Sequence, residues 1–371
     1  MNMKKIFVVL ILMFAFSMPV CAEGTDLFAE QYEISGADRL GGSLPDSARE
    51  FFSENGIEPS DPNWVNSLSG ENVFRHIWGF VTSGAKTPLK TCAAVIGIIL
   101  ITAALTAMNE KDGIMPTAVY ASVLASAAVI AVPVFSAVTA AVNAMKGCAA
   151  FMLSFIPVFA SVVAASGKAV TAASMSTLLL LSAQAVSYIS NFVVIPLMGG
   201  YLAVSISSSV SPLVSRSGIA ESIKKIAFWI LSLITTLFLG ILSIQTAVNS
   251  AADTLSVRTA KFILGTSVPI AGTALSEAVS TVTASLSLLK SSVGIYGVVA
   301  ASAIFLPITA ELVLWRLMLM LTSSISQIFS LVRISSVLKA VDTMLSLLIG
   351  TVLLTAAMFI ISLAVVAGVG V

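Results

Sequence analysis

Apolar residues gather in six long runs, 91–108, 118–141, 175–197, 226–248, 293–320 and 344–366. Each is long enough to cross a bilayer, which takes a helix of about 20 residues. A further run, 147–165, is equally apolar but carries Pro157 near its centre. The stretch 265–285, GTSVPIAGTALSEAVSTVTAS, belongs to none of them and combines Gly265, Pro269, Gly272 and the carboxylate of Glu277. Backbone freed by proline or glycine is tolerated at membrane depth only where protein or water satisfies it. The segments 147–172 and 261–290 are therefore expected to be broken, re-entrant or hairpin elements.

Ahead of these runs the pattern changes to short amphipathic helices. In LPDSAREFFSENGIEP, Asp46 after Pro45 caps a helix, Ala48, Phe51 and Phe52 share one face, and Asn55-Gly56 stops it. Asp61-Pro62 starts one turn. Ser69 with Glu71 starts another that lines up Val73, Phe74, Ile77, Trp78 and Val81. That face lies on the bilayer surface or packs inside a small folded cap. Residues 1–22 read as a secretory signal, with Lys4 and Lys5, the apolar 6–16 and a Val20-Cys21-Ala22 cleavage site. The expected organisation is thus a signal at 1–22, an extracytoplasmic helical region at 23–85 and a membrane domain at 86–371.

Composition strengthens the membrane reading. Charged residues are 10% of the chain and hydrophobic ones 57%, against about 25% charged in soluble domains. Such a chain cannot make a polar surface, and the expected fold is an all-α polytopic membrane protein of about six to eight transmembrane helices. Charge is unevenly divided: residues 23–85 hold 11 acidic and 3 basic side chains, a net of −8, while residues 86–371 hold 14 basic and 7 acidic, a net of +7. Neither half suggests a nucleic-acid surface. Cys92 and Cys148 sit in apolar runs and His76 is the only histidine, which leaves no disulfide framework and no Cys/His metal site. No phosphate-cradling G-x-x-x-x-G-K-[ST] and no His-Glu or aspartate-rich metal motif is present. The chain is expected to be neither an enzyme nor a cofactor carrier.

Setting Pro157 against Pro269 brings IPVFAS over VPIAGT, and Pro196 in VVIPL then follows at nearly the same distance as Pro307 in IFLPI. Each copy continues into a serine-rich basic stretch, Arg216, Lys224 and Lys225 in one and Arg333 and Lys339 in the other, and ends in an apolar helix. This pattern suggests repeats at 151–248 and 262–366. If the two broken elements do not cross and the mature N-terminus is outside, both basic stretches face the cytoplasm, as the positive-inside bias favours. If every apolar run crosses, they face outward.

Ionisable groups at membrane depth are costly and mark functional candidates. Glu277 lies in the interrupted stretch, Glu311 and Arg316 in the run 293–320, and Asp253, Arg258 and Lys261 just before the interruption. Glu277, Glu311 and Arg316, with the helix-interrupting Pro157, Pro269 and Gly272, are candidates for a polar path or a subunit contact. The alternative is that the charges find partners inside the bundle or snorkel to the interface. The serine-rich SISSSVS at 205–211 is explained by close helix packing.

The order LPDSAREF, NGIEP and LSGENVF in front of a multispanning domain, with FIPVFASVVAASG at 155–167 and VPIAGTALSEAVSTV at 268–282, resembles the stage III sporulation protein AE family of endospore-forming bacteria. The resemblance implies a permease-like membrane component of a trans-envelope channel or secretion-like complex between mother cell and forespore. Implied partners are the other stage III sporulation A-operon proteins, among them a separate ATPase subunit, and indirectly the forespore's stage II sporulation protein Q. It implies placement in the mother cell membrane around the forespore, with the N-terminal region in the intermembrane space. A stand-alone transporter of a small solute and a scaffold without a pore are the competing classes. The resemblance supplies no site residues.

Overall fold

The computed structural model describes residues 25–57, 60, 64, 75, 78–79, 81–82, 84–108, 114–189, 192–193, 195–210, 219–267 and 272–368. The signal expected at 1–22, most of the amphipathic face at 73–81, and Pro269 lie outside them. The described residues form nine α-helices and a 3₁₀ turn, without strands. They are α1 (Thr25–Ile34), the 3₁₀ turn (Ala37–Ser43), α2 (Asp46–Glu54), α3 (Lys86–Met108), α4 (Ile114–Ala165), α5 (Ala169–Ile189), α6 (Ile195–Val210), α7 (Ile219–Ser267), α8 (Gly272–Ile328) and α9 (Val332–Ala367). Six of them, α3, α4, α5, α7, α8 and α9, are long and apolar enough to cross a membrane.

The helices α4, α8 and α9 form the centre, with α8 and α9 antiparallel and in the most extensive contact of the bundle. Their register is fixed at three heights, by Gly294 against Ala367, Arg316 against Asp342, and Ser323 against Ser335. Helix α3 packs on α4 and α8, whereas α5 and α6 flank α9. Helix α7 is outermost. Only 17% of its apolar window is buried, and Phe228, Trp229, Leu233, Leu237 and Ile244 are exposed on its outer side. At 52 residues α4 is about 78 Å long, more than twice the roughly 30 Å hydrocarbon thickness. A single perpendicular crossing therefore leaves much of α4, and of the still longer α8, outside the hydrocarbon.

Proline acts differently from expectation. Pro157 does not interrupt 147–165; it lies inside α4, as does Pro133. A mid-helix proline removes one donor and crowds the carbonyl four residues back, but α4 is buried along one face against α8 and α9, and that packing holds the helix through it. The segment 147–172 is thus the end of one continuous helix, a tight turn, and the start of α5, a hairpin rather than a broken helix. Pro196 instead occupies the second position of α6, where its missing N–H is no loss. Its aligned counterpart Pro307 lies within α8. The aligned prolines of the two expected copies therefore do not share a structural position, and the run 175–197 divides between α5 and α6.

Helix ends follow local chemistry. Gly56 and Gly167 adopt left-handed φ of 59° and 84°, and each closes its helix with paired bonds. In the second case Lys168 N–H donates to Val163 O at 3.2 Å and Gly167 N–H to Ala164 O at 3.0 Å. Asp46 is the first residue of α2 and makes no side-chain cap; the cap position is Pro45. Ala48, Phe51 and Phe52 are buried as their spacing predicts.

The described part of the acidic N-terminal region, residues 25–57 with Trp64, packs along α4 and α8. Ser285 donates to Gln31 at 2.8 Å and the Trp64 indole N–H to Ser292 at 3.1 Å. Phe52 meets the Tyr296 ring edge-on at a centroid distance of 4.8 Å. Pro45 fits over Gly147. Tyr32 donates its hydroxyl to Ala37 O at 3.0 Å, and burial beside Asp38 pushes the phenol up to about 12.

Candidate functional site

A cleft with two polar side chains opens where the residues just before α3 meet α4 and α8. Gly84, just before α3, lies beside Glu311; a Cβ there would meet the Glu311 side chain at 3.8 Å, an ordinary contact. Asn143 and Gly147 of α4 face the same place, with Ile304, Pro307, Ile308 and Glu311 of α8 at helical spacing opposite. Together with Ala140, Ala144, Gly84 and Pro45 they enclose a half-open cleft of about 360 Å³. Among its described lining residues Glu311 is the only charged group and Asn143 the only other polar side chain. The fully buried Trp315, one turn further, turns its indole N–H toward the Glu311 carboxylate without reaching good hydrogen-bond geometry.

Arg316 does not pair with Glu311, in keeping with their spacing of five. It reaches across to Asp342 of α9, with Nε 2.8 Å and Nη2 3.4 Å from the two carboxylate oxygens. The contact is two-pronged and both side chains are about 30% exposed, so its strength is intermediate between surface and buried pairs. Arg316→Ala is expected to cost about 1 kcal/mol, and the exchange Arg316→Asp with Asp342→Arg to recover part of it. Thermal unfolding in detergent measures both.

The remaining candidates do not converge on this cleft. Pro157 is exposed on α4. Gly272 is the first residue of α8, and Glu277 follows within the same helix, its side chain outside the described residues. The helix is continuous from Gly272 onward, so any interruption of the second element falls at 268–271, outside the described residues. Asp253 has a defined structural role instead. It is buried and accepts bonds from Val170 N–H at 3.1 Å, Thr171 N–H at 3.2 Å and the Thr171 hydroxyl, which places its carboxylate on the N-terminus of α5. Lys290 is likewise buried, at the C-terminal end of α9 beside Gly368, where a cation suits the helix dipole.

Gly84, Asn143 and Asp342 were missed as site residues by sequence reasoning. Asp342 carried the clearest signal, a lone acid beside an apolar run. Asn143 and Lys146 likewise interrupt the apolar pattern at the middle of α4. No group of three or more metal-ligating side chains occurs among the described residues.

A bundle with six helices long and apolar enough to cross a membrane defines an all-α polytopic membrane protein. The family model described as Stage III sporulation protein AE matches residues 65–370, and the chain belongs to that family. It is 28% identical over 262 residues to the stage III sporulation protein AE of Bacillus subtilis (strain 168). That match covers 70% of this chain and 64% of the relative, less than two thirds of its length. No solved structure matches.

Proposed function

We propose that this chain is the permease-like membrane subunit of a sporulation-specific channel or secretion-like complex between mother cell and forespore. The observation that carries the reading is the family match over residues 65–370. In this proposal the chain sits in the mother cell membrane around the forespore and supports forespore maintenance and late gene expression. It works with the other stage III sporulation A-operon proteins and, across the gap, with stage II sporulation protein Q. It has no enzymatic activity of its own, and a separate ATPase subunit supplies energy. A stand-alone solute transporter is the competing reading, favoured by the carboxylate-bearing cleft at Glu311; a poreless scaffold would leave that carboxylate without a task.

Affinity purification from sporulating mother cells decides among these. Recovery with partner proteins is expected. Recovery of the single chain, active in solute uptake after reconstitution, overturns the proposal.

The proposed orientation has its own support. Ile223 and Met344 line one apolar pocket, so Lys224, Lys225 and Lys339 gather at one end of α7 and α9. The bonds of Gln31 to Ser285 and Trp64 to Ser292 hold the N-terminal region toward the opposite end of α8. With the basic end cytoplasmic, cysteines at the exposed positions of Lys225→Cys and Lys339→Cys are expected to react only with reagents that reach the cytoplasm. Cys92 and Cys148 are buried and give little background. Labelling from outside intact cells would reverse the orientation.

A further inference from the structure

We propose that the cleft at Glu311 binds a small organic cation, an ammonium or guanidinium head on a short apolar body. This goes beyond the channel reading and does not depend on partner proteins. The cleft holds about 360 Å³, toward the small end of the roughly 300–1,000 Å³ typical of ligand pockets. Its walls are mostly apolar, with Ile304 and Ile308 on one side and Ala140, Ala144 and Gly147 on the other.

Two polar side chains face this space. Glu311 supplies the only charge in the described lining, and among the described residues no ion pair engages it. The nearest basic group on its own helix, Arg316, is committed to Asp342. On the facing wall Asn143 adds a carboxamide.

A carboxylate and a carboxamide oxygen are both acceptors, and together they suit a donor-rich cation. An anion is repelled. A bare divalent ion would find too few oxygens, since calcium takes six to eight and magnesium demands a near-octahedral shell. A partly buried carboxylate without an ion pair is costly, and a bound cation with an apolar tail removes that cost while filling the isoleucine-lined wall.

The test is calorimetric titration of the full chain in lipid nanodiscs with n-butylguanidinium, with n-butanol and butyrate as controls. Saturable binding of butylguanidinium alone is expected. Glu311→Gln should weaken it about tenfold or more, the loss of a charge-assisted contact. Ala144→Leu, which keeps the charge and fills the opposite wall, should weaken it similarly. Lys339→Ala, which removes an exposed charge outside the cleft, should leave it unchanged. Melting temperatures identify any variant that fails to fold, and Ala144→Leu carries the test if Glu311→Gln does. Absence of binding to the unmodified chain, equal binding of butanol, or an affinity unaffected by either cleft variant would each overturn the site.

Discussion

Gly297→Leu is expected to leave no folded bundle, and Gly297→Ala alone to lower stability by about 2 kcal/mol, within the range for overpacked cores. A Cβ at position 297 would lie 2.6 Å from Cζ of Phe155 on α4 and 3.0 Å from Leu363 on α9. Neither neighbour can yield easily, because Phe155 and Leu363 are both fully buried. One turn earlier a Cβ at Gly294 would overlap Ala367 and press on Phe159 at 3.3 Å. The two glycines therefore set the distance at which α4, α8 and α9 meet, as small residues do where membrane helices approach closely. Phe155→Leu shortens the obstructing side chain and is expected to be destabilising alone. Combined with Gly297→Ala it should cost less than the sum of the two singles, by about 1 kcal/mol. Thermal unfolding of the detergent-solubilised variants gives the cycle. Strict additivity would show that the ring does not enforce the glycine.

How much of this was legible beforehand depended on whether the cause was local. The six crossing helices follow from runs of apolar residues, and the end of α2 at Asn55-Gly56 follows from a residue that tolerates left-handed φ. Both causes act within a few positions of the chain. The prolines failed as markers because a helix packed on one face can carry a lost hydrogen bond that an isolated helix would not. Pro133, Pro157 and Pro307 are thus all interior, while Pro196 sits in the first turn of α6. Sequence separates these two roles only when the neighbouring helix is known. Partner choice was equally hidden. Arg316 and Asp342 are 26 residues apart and meet because α8 and α9 are antiparallel around the turn at Ser330, itself in the left-handed region at φ 59°.

The N-terminal region shows the same limit from the other side. Its helical faces were readable, but not what they would cover. Phe52, Trp64 and Gln31 find Tyr296, Ser292 and Ser285 on α8, more than 200 residues on. Its acidic surface and its buried aromatics together make it a strap along the membrane helices rather than a free-standing domain. Because Pro45 and Gly84 also border the cleft, the strap forms one of its walls, and the chemistry of that site belongs partly to residues that composition alone would assign to another domain.

Asp253→Ala is expected to cost about 2–3 kcal/mol, among the largest effects of any single charge removal in the chain. The turn between α4 and α5 explains why. It contains only Ser166, Gly167 and Lys168 before α5 begins at Ala169. The cap position is thus filled by a lysine, which has no acceptor to offer the first N–H groups of the helix. Asp253, on α7 and 82 residues beyond Thr171, supplies the missing acceptor, and Asn249 reinforces it one turn away by donating to Ser174 at 2.5 Å. The carboxylate also opposes the partial positive charge of the helix start. Asp253→Asn keeps one acceptor oxygen and loses the charge, so about half the cost is expected. If the effect is capping, a local cap should replace the distant one: Lys168→Ser in the Asp253→Ala background should restore about 1 kcal/mol, the usual worth of a serine at that position. Thermal unfolding together with protease sensitivity at the α4–α5 turn reads both changes. A Lys168→Ser that restores neither would mean that Asp253 holds α7 against α5 by packing and charge elsewhere, and that the start of α5 needs no cap.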